Sequence, residues 1–263
     1  MEFKLGLVIV TIVISLIAYK LKALKLSGAL SAMIVGILIL IGVGIQGMIL
    51  LGAFFVSSSF WSRWKQNDKS ETLSILEKGD ERDWAQVFAN GGIPALLSFI
   101  YSFNQDPILL LLFSISLAAA NADTWASEIG VLSKSDPILI HNLKRVKRGT
   151  SGAVSILGTT ASFLASLMIA GLSFILWNDY ITLNLVIVIT IFGFLNMIID
   201  TVLGSTIQRK NRCTICHAIT ESHIHCDTET KYARGIRFIN NDVVNITSIA
   251  ITVFLSIWFI NVN

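Results

Sequence analysis

Apolar runs of about 20 residues, the length of helix that crosses the hydrocarbon core of a bilayer, recur along the whole chain and alternate with short charged segments. They lie near 3–19, 28–46, 47–61, 86–101, 107–127, 152–177, 183–204 and 243–260. Two are interrupted: the third by Ser57, Ser58 and Ser59, the fourth by Asn90, Gly91, Gly92 and Pro94. Backbone amides and carbonyls find no water in hydrocarbon, so a spanning segment of this kind has to be helical. The pattern predicts an all-α fold, a polytopic bundle of about eight transmembrane helices. Charged residues make up 14% of the 263 and hydrophobic ones 54%, whereas soluble domains carry about a quarter charged. One integral membrane domain over residues 1–263 therefore fits better than one or two soluble domains. The balance of 20 basic against 17 acidic residues, a net +3, argues against a nucleic-acid partner.

The cations set an orientation. Lys and Arg concentrate in cytosolic loops. Eight spans with both termini external place four segments in the cytosol, near 20–27, 62–85, 128–151 and 205–242. These hold Lys20, Lys22 and Lys25; Arg63, Lys65, Lys69, Lys78 and Arg82; Lys134, Lys144, Arg145, Lys147 and Arg148; and Arg209, Lys210, Arg212, Lys231, Arg234 and Arg237, while Lys4 falls on the other side. A single miscounted span would scatter them. The first span runs into Lys20 without a small-residue cleavage site and reads as a retained helix. The expected location is the cell membrane, with the active face cytosolic.

Two parallel four-helix repeats are suggested by Ser27-Gly28-Ala29 before the second span and Ser151-Gly152-Ala153 before the sixth, and by Asn90 in the fourth span against Asn240-Asn241-Asp242 at the eighth. Small residues are also common wherever membrane helices touch, which explains the same match without a repeat.

Ionisable residues inside membrane segments are costly and mark function by default. Asp123 and Glu128 end the fifth span, Asp200 lies near the end of the seventh, and Asp242 opens the eighth, all at one depth. Carboxylates gathered there suit Mg²⁺, which takes one or two of them together with waters and substrate phosphates. The plainer alternative is pairing with loop cations. The third basic loop continues Lys147-Arg148-Gly149-Thr150-Ser151-Gly152 into a helix start, a combination of cations, glycine and hydroxyls that suits a phosphate; positive-inside topology explains the cations but not the Gly-Thr-Ser-Gly run. In the fourth loop, Cys213, Cys216 and Cys226 with His225 or His223 have the makings of a tetrahedral Zn²⁺ knuckle. Reduced thiols without metal are the alternative; a cytosolic setting argues against haem attachment at Cys213-Thr214-Ile215-Cys216-His217.

Several segments in order resemble one membrane family: SGALSAMIVG (27–36), QVFANGG (86–92), NADTWASEIG (121–130), KRGTSGAVSILG (147–158), DTVLGSTIQ (200–208), the Cys/His segment with ITE (219–221), and FINNDVVN (238–245). The chain is similar to the family of domain of unknown function 92, which includes plant phytyl-phosphate kinase and animal transmembrane protein 19. The resemblance implies phosphorylation of an isoprenyl monophosphate to the diphosphate by a nucleoside triphosphate.

On that reading Asp123 and Asp200 hold Mg²⁺, with Glu128 as a further catalytic acid; Lys147, Arg148, Thr150 and Ser151 hold phosphates; Asn90, Asn241 and Asp242 orient phosphate or a metal-bound water. The chain lacks the Walker A string, so it is not a P-loop enzyme. A transporter or flippase of a small or lipid-phosphate substrate is the competing reading, with Asn90-Gly91-Gly92 and Asn196 its best residues and a midplane site its requirement. A scaffold with a zinc loop leaves the intramembrane acids unexplained. Topology is directly testable. Reporter fusions near Asn67, Ser135 and Thr220 are expected to read cytosolic and fusions near Gln105, Asp179 and Asn263 external; disagreement at two sites contradicts the eight-span arrangement.

Overall fold

The computed structural model describes residues 2–69, 79, 81–140, 143–146, 148, 150 and 152–262. Eight long helices are present among them: α1 (Glu2–Lys20), α2 (Leu26–Gly42), α3 (Ile45–Arg63), α4 (Trp84–Asn104), α5 (Pro107–Gly130), α6 (Ile156–Leu176), α7 (Leu183–Thr206) and α8 (Asn241–Val262). They match the eight apolar runs one for one. Five of them, α3, α5, α6, α7 and α8, are long and apolar enough to cross a membrane, while Leu5–Lys20 and Leu26–Gly42 are shorter apolar helices.

Local chemistry starts the helices where the runs begin. Asp83 and Gln86 form a reciprocal capping box at α4, each side chain accepting from the other's backbone N–H at 3.1 Å. Asp106 caps α5 with Pro107 at its first position. Ser155 caps α6 through the Gly158 N–H at 3.1 Å, and the Asn240 side chain does the same for α8 through Val243. The sixth helix starts at Ile156, four residues later than residue 152, because Ala153–Val154 (β2) pairs antiparallel with Ile138–Leu139 (β1).

Connections at one end are short turns, such as Val43 and Gly44 between α2 and α3, where Val43 N–H donates to Ser98 Oγ at 3.0 Å. The opposite end carries the long basic loops. There Leu24 bridges to Arg82, and Arg63 donates to the Leu21 carbonyl. A small domain follows α7 on the same end: β3 (Lys210–Arg212), β4 (Ile219–Thr220) and β7 (Lys231–Arg234) form a sheet in the order β4-β3-β7, and β5 (Ile224–His225) pairs with β6 (Thr228–Glu229).

α5 is the axis of the bundle and contacts α3, α4, α6, α7 and α8. Its Phe113, Ile115, Leu117, Ala118, Ala119, Ala120 and Ala122 are fully buried. A helix apolar on every side belongs at such a centre. Small side chains let its neighbours approach: a Cβ on Gly193 of α7 would come within 2.8 Å of Ala118 Cβ and 2.2 Å of Ser166 Oγ. The outward faces carry Ile9, Val13, Ile34, Val56, Ile175, Ile187 and Phe254, a belt that lipid has to cover.

The marker residues of the expected repeat stand in different local settings. Ser27, Gly28 and Ala29 sit in the first turn of α2, whereas Gly152 precedes α6 in a turn at φ +83°. Asn90 lies in the second turn of α4, whereas Asn241 is the first residue of α8.

Polar groups inside the bundle are fastened across helices. Asn196 Nδ2 donates to the Ala119 carbonyl at 3.2 Å, and its Oδ1 accepts from Thr252 at 3.0 Å, tying α7 to α5 and α8. Asn121 Nδ2 donates to the Ala165 carbonyl at 3.0 Å. Asn196→Leu keeps the volume and strands both partners. Its thermal stability in detergent is expected to fall by about 1–2 kcal/mol, the range of two interhelical hydrogen bonds in a membrane; unchanged stability contradicts a fastening role.

Candidate functional site

At the basic end of the bundle, α5, α6, α7 and α8 part around a cavity of about 160 Å³. α5 contributes Asp123 and, one turn on, Ser127; α7 contributes Met197, Asp200 and Thr201; the first turns of α6 contribute Gly158 and Thr159, with the capping Ser155; α8 contributes Asn241. The loop before α6 closes one side with Arg148, Thr150 and Gly152, and Glu221 approaches from the end of β4. Gly152 is needed there: at φ +83° its missing Cβ would meet Ser205 Cβ at 2.3 Å.

The two intramembrane acids therefore do meet in one cavity from separate helices. Asp200 Oδ2 accepts from Ser248 Oγ at 3.1 Å. The Asn245 amide, turned with its nitrogen toward the acid, reaches the same oxygen at 3.1 Å and the Asn241 carbonyl at 3.0 Å. These donors come from α8, where Asn241, Asn245, Ser248 and Thr252 fall on one face at helical spacing. That stripe is visible in the sequence, where Asn241 stands out as part of Asn240-Asn241-Asp242 and Asn245 ends the FINNDVVN segment, while Ser248 and Thr252 carry no motif.

Glu221, which in the sequence stands out only as part of the ITE motif, lines the same cavity. It forms an ion pair with Lys210 at 2.8 Å, the two side chains being 7% and 4% exposed. Burial pulls the Lys210 ammonium below its usual range, and the Glu221 carboxylate works against that shift. No feature of spacing announced this pair, because it depends on β3 and β4 lying side by side: Asn211 pairs with Thr220, which places Lys210 opposite Glu221.

Other expected residues lie elsewhere. Glu128 points away from the cavity toward α3, where its Oε1 accepts from Ser62 Oγ at 2.8 Å. Arg82 donates to Ser59 at 2.9 Å and to Ser62 at 3.5 Å on that same side. Five residues separate Asp123 from Glu128, which at 3.6 residues per turn puts them on different faces. Asn90 donates to the Gln86 carbonyl at 3.1 Å and lines a separate cavity of about 140 Å³ between α1, α2, α3 and α4, where its company is mostly apolar. Asp242 is buried in the first turn of α8 but does not line the acidic cavity; an acid there complements the helix dipole. Arg148 is exposed at the rim and donates to the Lys134 carbonyl at 3.3 Å. Lys147 and Ser151 lie outside the described residues.

The cysteine segment closes on itself. Cys213, Cys216, His225 and Cys226 present ligand atoms that all lie within 4.8 Å of one another. His225 Nδ1 is 3.5 Å from Cys216 Sγ and 3.2 Å from Cys226 Sγ, so His225 rather than His223 faces the thiols. Backbone N–H groups of Cys216 and Ile215 directed at the Cys213 sulfur bring that thiol down to about 6. Contact with the Cys216 and Cys213 sulfurs pushes Cys226 up to about 11.

The sequence matches the model of the integral membrane protein family DUF92 over residues 9–253. Protein PGR of Arabidopsis thaliana is 31% identical over 273 aligned residues, covering 95% of this chain and 93% of its own length. An uncharacterized membrane protein of Methanocaldococcus jannaschii is 32% identical over 77% of this chain and 82% of its own length. The chloroplastic protein VTE6 of Arabidopsis thaliana is 28% identical over 87% of this chain and 62% of its own length. No solved structure matches. With a family match across nearly all its helices and relatives aligned along most of its length, the chain belongs to the integral membrane protein family DUF92.

Proposed function

We propose that this protein is a membrane-embedded kinase that transfers the γ-phosphoryl group of a nucleoside triphosphate to an isoprenyl monophosphate, giving the diphosphate. The observation that carries this reading is that Asp123 and Asp200, from different helices, line one cavity at the basic end of the bundle together with Arg148, Thr150 and the capped start of α6. The motifs that resemble the plant phytyl-phosphate kinase family supply the substrate class.

Phosphoryl transfer asks a protein for positioning and charge neutralisation rather than covalent chemistry. The donor set at Asp123 and Asp200 is all oxygen, with Ser127, Thr201 and Asn241 nearby, which fits Mg²⁺. When bound, Mg²⁺ supplies neutralisation of the triphosphate oxygens. Ser248 and Asn245 keep one Asp200 oxygen oriented. Arg148 and Thr150 bind phosphate beside the positive end of the α6 dipole. An oxygen of the isoprenyl monophosphate attacks the γ-phosphorus, and the bond to the departing nucleoside diphosphate breaks. A phosphate monoester has its second pKa near about 6, so the nucleophile is already ionised at neutral pH. The reaction therefore needs no general base, and Glu128, facing Ser62, is not required for one. The alkyl tail stays in the bilayer while the phosphate reaches the cytosolic rim.

The transporter reading has less support. Asn196, its best intramembrane residue, is hydrogen-bonded through both amide atoms, and the acidic cavity lies at the loop end of the helices rather than between their midpoints.

Asp123→Asn and Asp200→Asn keep shape and remove charge. Each is expected to lower phosphoryl transfer at least about a hundredfold, roughly 3 kcal/mol of lost electrostatic stabilisation. The double variant is expected to be little worse than either single, since both acids serve one ion. Glu128→Gln is expected to stay within about tenfold of wild type. Turnover assays on protein purified in detergent check all four. Near-normal activity in both single variants places the chemistry elsewhere.

A further inference from the structure

The segment after α7 is built oddly for a folded unit. Its strands are two to four residues long. Between residues 207 and 240 the buried side chains are Gln208, Lys210, Asn211, Cys213, Thr220 and Glu221, and of these only Cys213 is apolar. Two buried ions and three polar groups do not hold a hairpin together by exclusion of water. Small units without a core rely on a staple, commonly disulfides or a metal. All three cysteines are free.

We propose that Cys213, Cys216, His225 and Cys226 bind one zinc ion, and that this ion holds the β3–β4 hairpin in the register that presents Glu221 to the acidic cavity. Tetrahedral zinc, with Zn–S about 2.3 Å and Zn–N about 2.0 Å, spaces a nitrogen about 3.5 Å from each sulfur and the sulfurs about 3.8 Å from one another. His225 Nδ1 already stands 3.5 Å and 3.2 Å from two of the sulfurs, and the whole set falls within 4.8 Å. Two tight turns deliver the ligands. Cys213 and Cys216 flank a turn closed by Cys213 N–H donating to the Ala218 carbonyl at 2.9 Å. Cys226 and Asp227, at φ +52° and +56°, make the reversal between β5 and β6 that brings His225 and Cys226 back. The Ile215 N–H points at Cys213 Sγ at 3.4 Å, the outer-sphere donor that a metal-bound thiolate needs.

The connection to the cavity runs through β3 and β4. The zinc turn joins one end of this strand pair, and the Lys210–Glu221 ion pair closes the other. Glu221 lines the cavity that holds Asp123 and Asp200, so fixing the turn fixes the carboxylate. The role is positional and does not depend on which reaction the cavity performs.

Elemental analysis of full-length protein purified without chelator tests the site. The expected content is about one zinc per chain in wild type and in Asp123→Asn, and loss of it in Cys213→Ser and Cys226→Ser. Wild type reconstituted with Co²⁺ is a second measurement that needs no variant: a thiolate-to-cobalt charge-transfer band is expected. Hydrogen exchange then tests the coupling. Removing the metal is expected to accelerate exchange across residues 208–222 while α5 stays protected. Zinc-free wild type without the cobalt band, or full zinc in both cysteine variants, overturns the site. Unchanged exchange at 208–222 after metal removal overturns the positioning role. None of these readouts uses turnover, so a failed kinase assay leaves them intact.

Discussion

Hydrocarbon cannot solvate a polar group, and the architecture follows from that one penalty. Each amide, hydroxyl or acid that the bundle encloses must find a protein partner or a wet cavity. α5 is where most of the partners converge: its backbone accepts from Asn196, and its Asn121 reaches α6. Hydroxyls on α8 satisfy Asn196 and, one turn nearer the loops, Asp200. The same ladder thus changes character along its length, from neutral amides deep in the bundle to a pair of carboxylates at the basic end. A neutral amide can be satisfied by hydrogen bonds alone. Two carboxylates in one enclosure need either a shared proton or a cation, and the proposed Mg²⁺ is such a cation.

What the helices have in common with the sequence is hydropathy. Apolar runs and capping residues are local signals, so the eight helices emerge near the expected positions, with the sixth displaced because the pairing of β1 with β2 claims residues that looked helical. Asp123 and Asp200 were legible for the same reason: an acid in an apolar run stands out alone. Glu128 looked equivalent to Asp123 by depth, but rotation about the helix axis separates them, and that rotation decides the neighbour. Asn90 was grouped with Asn241 by sequence likeness, and the packing of α4 against α2 sends it to a different cavity.

The loops were harder to read because their geometry comes from pairing across distance. Lys210 and Glu221 are eleven residues apart and mean nothing individually; the strand register makes them a buried pair. The cysteine spacing suggests a metal knuckle in outline, and the turn of Ile224–His225 back onto Thr228–Glu229 brings His225 rather than His223 to the thiols. Glu221 reaches the cavity through the pairing of β4 with β3. The cavity at the basic end of this DUF92 protein is therefore composite: two acids set by membrane helices, Arg148 and Thr150 from the loop before α6, and a carboxylate carried in by the β3–β4 hairpin.

The activity proposed for this face is transfer of a phosphoryl group to an isoprenyl monophosphate. Purified wild-type protein, incubated with a panel of isoprenyl monophosphates, Mg²⁺ and CTP or ATP, tests it most directly, with the diphosphate product followed by mass spectrometry. Formation of an isoprenyl diphosphate, dependent on both nucleotide and Mg²⁺, is the predicted result. Absence of diphosphate from every substrate, with movement of an isoprenyl phosphate across vesicles that contain the protein, contradicts the claim and makes the protein a transporter.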